Sequence, residues 1–179
     1  MRSMNSSQSA LVVLVPEAKA LIGPFRAAHE CPAGADVPAH ITLLYPFKPP
    51  YEIDAGVVAT LERCFARFTP VDFNLAIARR FPGLLYLVPD PDDAFRRMTL
   101  AIWERFADTP PYGGRYAEIV PHLSVAQIAD EAQLDRVHRD FAAYARERLP
   151  IRARAAAATL MIIEDGRWRL GRGFGLDGA

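Results

Sequence analysis

Lysine is nearly missing from this chain: among 21 basic residues only Lys19 and Lys48 are lysines, and the rest are arginines. Net charge is missing too, because 21 acidic residues balance the 21 basic ones and the pI is about 6.9. That balance excludes a strong electrostatic pull toward bulk nucleic acid or an anionic membrane. Arginine favours bidentate phosphate recognition over a point charge, so a local patch stays open, although an Arg- and Ala-rich chain equally reflects genomic base composition. Cysteine is scarce: Cys31 and Cys64 have neither zinc-ligand nor redox spacing and read as buried or idle thiols in a reducing compartment. No long uninterrupted apolar run and no basic-plus-apolar leader occurs, so no membrane association is expected and the cytoplasm is the expected location. Met1 to Ser9 are polar and Ser-rich, an expected frayed terminus. Residues 10–179 are expected to form a single domain, with ordinary contents of 51% hydrophobic and 23% charged residues.

What is present is organised. Ala10 to Val15 is an apolar run closed by Pro16 and reads as a buried strand. Glu17 to His29 has helical spacing, with a break expected at Pro24. The Pro- and Gly-bearing loop Cys31 to Pro38 leads to a strand over His40 to Tyr45 that stops at Pro46. Glu52 to Phe68 is a helix with Val57, Val58, Leu61, Phe65 and Phe68 on one stripe. Val71 to Arg79 alternates, Pro82-Gly83 turns, and Leu84 to Val88 returns, which predicts a hairpin. Asp93 to Ala107 is a second amphipathic helix, with Phe95, Met98, Leu100, Ile102 and Phe106 available for packing. Glu131 to Arg148 is a third, carrying Leu134, Val137, Phe141 and Tyr144. Arg152 to Ile163 is expected to pair with Trp168 to Phe174 across Glu164-Asp165-Gly166. The segments Leu11 to Leu44 and Leu84 to Ala126 repeat one order: strand, helix, Pro-bearing loop, histidine strand.

The repeat ends each time on the same pattern, His40-Ile41-Thr42-Leu43 and His122-Leu123-Ser124-Val125. In a strand, residues two apart share a face. His40 and Thr42 therefore project together while Ile41 and Leu43 turn into the core, and His122 and Ser124 repeat this over Leu123 and Val125. One such motif alone reads as a satisfied core histidine; two in matching contexts read as a site. Two imidazoles and two hydroxyls suit acid–base chemistry on a phosphate. One neutral ring and one imidazolium can exchange roles near neutral pH, and the hydroxyls can donate to oxygens on which charge develops. A zinc site is disfavoured, because each motif offers one ligand and no third His or Cys lies nearby in sequence. Gly113-Gly114 opens no phosphate-binding helix.

Ala39-His40-Ile41-Thr42-Leu43-Leu44-Tyr45-Pro46-Phe47 with Pro121-His122-Leu123-Ser124-Val125 resembles the 2H phosphoesterase superfamily, in particular its 2′-5′ RNA ligase-like, cyclic phosphodiesterase branch. The resemblance spans nearly the whole chain. It implies an α+β fold, bilobal and pseudo-symmetric, with antiparallel sheets around a central cleft and the two histidine strands facing each other. It also implies that His40, Thr42, His122 and Ser124 are the catalytic set, with serine at 124 where many members have threonine. The expected reaction is metal-independent hydrolysis of a nucleotide or RNA-terminal 2′,3′-cyclic phosphate, with no cofactor. The alternatives are RNA end joining of the 2′-5′ ligase type and a non-catalytic nucleotide-binding module.

Around that set, Tyr45 and Phe47 are candidates to line the cleft and stack a base. Tyr112 and Arg115 belong to a Gly-rich loop that either covers the substrate or merely connects. Arg79 and Arg80 are within chain distance of a phosphate, although a solvated charge is the simpler reading of each. The cluster Arg146, Arg148, Arg152 and Arg154 straddles a helix end and says little about RNA. The expected partner is a small nucleotide or RNA-terminal phosphodiester, bound by a monomer with no obligate protein partner.

Overall fold

The central apolar run becomes β1 (Gln8–Leu14). In the computed structural model, which describes residues 8–29, 37–164 and 167–178, this strand is covered on both faces, so it reads as continuous apolar sequence rather than alternation. Leu11 and Val13 pack toward the helices, and Ala10 and Val12 meet Val37 and Met161 on the other side. The strand begins at Gln8, within the expected frayed terminus. Ser9 is fully buried, its Oγ donating to the Lys48 carbonyl at 2.5 Å.

The helix α1 (Lys19–Ala28), entered through a 3-10 turn, runs through Pro24 instead of breaking there. Gly23 precedes the proline, and a residue with no Cβ escapes the clash that normally drives a pre-proline residue out of helix. Then come β2 (His40–Leu44) and α2 (Ala55–Ala66). The Asp54 side chain caps α2 by accepting from Val57 N at 2.9 Å. The predicted hairpin is β3 (Val71–Phe81) with β4 (Leu84–Asp90), and its turn is held by Gly83 at φ +77° after Pro82, the dihedral of a type II turn.

The helix α3 (Asp93–Arg105) buries Phe95, Met98, Thr99 and Ile102, whereas Leu100 lies on the outer face, 50% exposed. Thr99 takes the inward position because its hydroxyl is satisfied, donating to the Leu43 carbonyl at 2.8 Å. β5 (Leu123–Gln127) and α4 (Glu131–Ala145) follow, the latter capped by Asp130 on Gln133 N.

The stretch 152–163 is not one strand. It divides into β6 (Ile151–Ala155) and β7 (Ala157–Glu164), and β7 pairs with β8 (Arg167–Gly175). β6 instead pairs with β3. The expected turn residues Asp165 and Gly166, the loop residues 30–36 with Cys31, and residues 1–7 lie outside the described residues.

All eight strands form one sheet in the order β6-β3-β4-β5-β2-β1-β7-β8. Only Ala156 separates β6 from β7, a link of about 7 Å. Five strands lie between them in the sheet order, roughly 25–30 Å if flat, so the sheet must curl until its ends approach. The two lobes are the halves of this curled sheet, joined edge to edge where β2 meets β5. The halves also interlock. α1, from the first, packs on β5 of the second, and α3, from the second, packs on β2 of the first. The main core lies between the sheet and the helices, around Phe65, Phe95 and Phe141. The opposite face is left for the site.

Candidate active site

β2 and β5 pair at Ile41 and Leu123, whose side chains are fully buried on the helix side. The residues flanking them consequently face the cleft. Carried one residue either way, this antiparallel register sets His40 across from Ser124 and Thr42 across from His122. Each imidazole thus stands opposite the hydroxyl of the other motif, at a Cβ separation of about 5 Å. The four residues are brought together by the one pairing that joins the two halves of the sheet.

Each ring is held in the same way. His40 Nδ1 lies 2.7 Å from the Pro38 carbonyl, and His122 Nδ1 lies 2.7 Å from the Val120 carbonyl. A carbonyl only accepts, so Nδ1 carries the proton in both rings, and Nε2 is the nitrogen presented to substrate. A helix arginine braces each approach. Arg26 of α1 donates to the carbonyls of Val37 and Pro38, and Arg96 of α3 donates to the Ile119 carbonyl while paired with Asp92. The carbonyls of Val37 and Ile119 each lie three residues before their histidine. Sequence reading missed both arginines. They are distant in the chain from the motifs, and only the packing of helix against loop brings them there.

Burial holds both imidazoles below the usual histidine pKa. The backbone hydrogen bond opposes this in each, and for His40 the charges of Arg26 and His122 lower it further.

Tyr112 closes one side of the site. It sits at φ +52°, a left-handed conformation uncommon outside glycine, followed by Gly113 and Gly114 at φ +65° and +73°. Its N–H donates to the Tyr45 carbonyl at 2.6 Å. Its side chain approaches that of Thr42, and burial pushes the phenol up to about 12. Its ring lies 23° from coplanar with the His122 ring, centroids 6.4 Å apart.

Two further aromatic rings surround His122: Tyr86 at 5.4 Å and Phe81 at 5.7 Å, stacked on each other. Neither was singled out from sequence. The signal was present, since Tyr86 interrupts the buried pair Leu85 and Leu87 and pairs with Ser124 across the ladder. Arg79 pairs with Tyr86 and shares its face, whereas Arg80 points to the helices and binds Asp135.

The remaining candidates divide. Tyr45 stands at the cleft but is engaged, its hydroxyl donating to Gln8 at 2.5 Å and its ring packing on Trp168. Phe47 is a core residue, 5% exposed and edge-on to Phe106 at 5.1 Å; it lies beyond the end of β2, where strand alternation no longer sets its face. Arg115 is exposed at the outer end of the loop. In the basic cluster, one guanidinium nitrogen of Arg154 reaches both carboxylate oxygens of Asp72, and Arg148 donates to the Tyr144 carbonyl. Among the described residues no three His, Cys, Asp or Glu side chains converge as a metal-ligand set, and no helix is long and apolar enough to cross a membrane.

Residues 14–167 match the 2′-5′ RNA ligase superfamily, a span that contains both motifs. Among curated protein sequences none matches. In fold, the chain is similar to E. coli LigT complexed with 3′-AMP, at TM-score 0.62 and 16% identity over 95% of this chain and 98% of that one. It is equally similar to TT0787 of Thermus thermophilus, at TM-score 0.61 and 15% identity over 96% and 98%. The duplicated histidine strands, their mirrored bracing and the matched span agree: this chain belongs to the 2′-5′ RNA ligase superfamily of 2H phosphoesterases.

Proposed function

We propose that the protein hydrolyses a 2′,3′-cyclic phosphate on a nucleotide or RNA end, using His40 and His122 as base and acid and needing no metal. The observation that carries this reading is the matched pair of imidazoles, each with Nδ1 fixed on a carbonyl two residues earlier. In the forward step a water oxygen bonds to phosphorus while one ribose oxygen leaves. His40 Nε2 takes the water proton, and His122 Nε2–H gives its proton to the departing oxygen. His40 is the base because Arg26 and His122 both disfavour a charge on it. His122 is the acid; the incoming phosphate anion favours its protonated form. Thr42 and Ser124 donate to the non-bridging oxygens. The Tyr112 phenol stays protonated at neutral pH.

The test is hydrolysis of nucleoside 2′,3′-cyclic phosphates in excess chelator, wild type against the His40→Ala/His122→Ala double variant. Turnover that resists chelator and disappears in the variant is expected; turnover that survives in the variant refutes the assignment. A substrate with one phosphate is also expected to lose only about threefold in kcat/KM between 50 and 200 mM salt, whereas an RNA strand held by many phosphates would lose orders of magnitude.

A further inference from the structure

Tyr86 and Arg79 carry chemistry that the reaction above does not use. Tyr86 pairs with Ser124, and Arg79 pairs with Tyr86. With His40 across from Ser124, the row His40, Ser124, Tyr86, Arg79 crosses β2, β5, β4 and β3 on the cleft face. The matching row of the other half starts from His122 and Thr42 and continues through Val12 and Thr159. One row thus ends in an apolar and a neutral side chain, the other in a phenol and a guanidinium.

Tyr86 is 4% exposed. Among the described residues its hydroxyl has no hydrogen-bond partner, and no side-chain polar atom is both buried and unpartnered. The small part of Tyr86 that stays open therefore includes the hydroxyl, on the face it shares with Ser124. Packing alone would be served by a phenylalanine, which brings no polar group to satisfy. Phe81 stacks on the Tyr86 ring at 4.4 Å and the His122 ring meets it at 5.4 Å, so the phenol is held in place. Arg79 is exposed and has no ion pair among the described residues, whereas its neighbour Arg80 is bound to Asp135. The Arg79 charge is felt at the Tyr86 phenol, where it opposes the upward push of burial.

We infer that Tyr86 and Arg79 form a second phosphate subsite, which holds the phosphate on the 5′ side of the ribose whose cyclic phosphate reacts. The inference rests on the proposed cyclic phosphodiesterase reading. In that reading His122 protonates the leaving ribose oxygen, so the ribose lies on the His122 side of the site, where the Tyr86 ring stands. Thr42 and Ser124 serve the reacting phosphate. Arg79 stands two strand spacings beyond Ser124, about 10 Å across the sheet, with Tyr86 between them. Its charge is therefore placed for a second anion. A terminal cyclic phosphate carries chain on its 5′ side only, which fixes where that anion is. The arginine fork suits phosphate oxygens, and the phenol adds a neutral donor on the way to it.

The test measures kcat/KM for cytidine 2′,3′-cyclic phosphate, for the same compound phosphorylated at O5′, and for the dinucleotide adenylyl-cytidine 2′,3′-cyclic phosphate. The second phosphate is expected to raise kcat/KM about tenfold or more, chiefly through KM, the scale of a hydrogen bond to a charged group. The readout is this ratio, which is independent of any change in a variant's absolute rate. Arg79→Gln should bring it close to unity, Arg79→Lys should restore part of it, and Tyr86→Phe should lower it severalfold. Arg80→Gln, on the helix side of the same strand, should leave it as in the wild type. An advantage for both phosphorylated compounds assigns the subsite to the phosphate itself. An advantage for the dinucleotide alone assigns it to the phosphodiester of an RNA end, and one for the mononucleotide alone to a terminal phosphate. No advantage in the wild type, or one that Arg79→Gln retains, overturns the subsite while leaving the hydrolytic reading in place.

If no cyclic phosphate is hydrolysed, binding decides. Calorimetric titration compares cytidine 3′,5′-bisphosphate with cytidine 3′-monophosphate. Tighter binding of the bisphosphate by about tenfold, lost in Arg79→Gln, would sustain the subsite and remove the assigned reaction. Equal affinities, no binding of either, or a gap that Arg79→Gln keeps overturns the subsite.

Discussion

A histidine serves acid–base chemistry only while its ring is correctly tautomeric and aimed, and at His40 and His122 each of these conditions has a named cause. Burial disfavours charge on both rings before substrate arrives, the carbonyls of Pro38 and Val120 fix the Nδ1 proton, and strand geometry aims Nε2 into the cleft. Substituting either imidazole by alanine is expected to reduce kcat by about 10²–10⁴, measured on whichever cyclic phosphate the wild type turns over. The two arginine braces differ in electrostatics. Arg26 lowers the pKa of His40, whereas no arginine charge acts on His122 in this way. Arg26→Met should therefore let the His40 pKa rise toward 6.5, moving the acid limb of the kcat/KM–pH profile to higher pH. Arg96→Met should lower kcat by loosening the loop without moving that limb. Equal displacement by both variants would show that Arg26 acts only as a mechanical brace.

At the level of elements, the motif strands depend on the helices that cross over to them. Thr99 of α3 donates to the carbonyl of Leu43, next to Thr42. Thr99→Val keeps the shape but removes this hydrogen bond, which is expected to cost about 1 kcal/mol in urea unfolding. Gly83 closes the hairpin that carries Tyr86 to Ser124, and Gly83→Ala at φ +77° should cost about 1–2 kcal/mol. Much of this level was legible in the residues. The Asp54 and Asp130 caps, the Pro82-Gly83 turn and the alternation of Val71 to Arg79 involve only near neighbours in the chain. Leu100 was misread because a helical stripe shows what could be buried. It does not show that Thr99, with a carbonyl to satisfy, takes the inward position.

For the whole molecule, two buried imidazoles with lowered pKa values link stability to pH. Between their folded pKa values and 6.5 the unfolded chain binds protons that the folded chain does not, so ∂ΔG_unfold/∂pH is positive there. This contribution is fully present above 6.5 and is lost as pH falls through the folded values. Thermal unfolding at about pH 5 should therefore occur at lower temperature than near pH 7.5. The His40→Asn/His122→Asn variant should show a smaller drop, and an identical drop would mean that the rings are not the cause. The interlock of α1 on β5 and α3 on β2 joins the halves at the same place. Acid that charges the rings loads the seam between them.

The amino-acid sequence by itself determined which residues could do chemistry and which face each one takes. Period-two alternation at 40–43 and 122–125 is a local property, and repetition told the pair apart from two core histidines. It could not determine neighbours, because a β-strand's alternation names its face but not the strand beside it. Tertiary structure alone decided that Ile41 pairs with Leu123 and that His40 therefore meets Ser124. It alone brought Arg26 and Arg96 to the carbonyls behind the rings, and it divided 152–163 at Ala156 so that one segment serves both ends of a curled sheet. Each of these contacts is long-range, and its energy depends on partners far away in the chain.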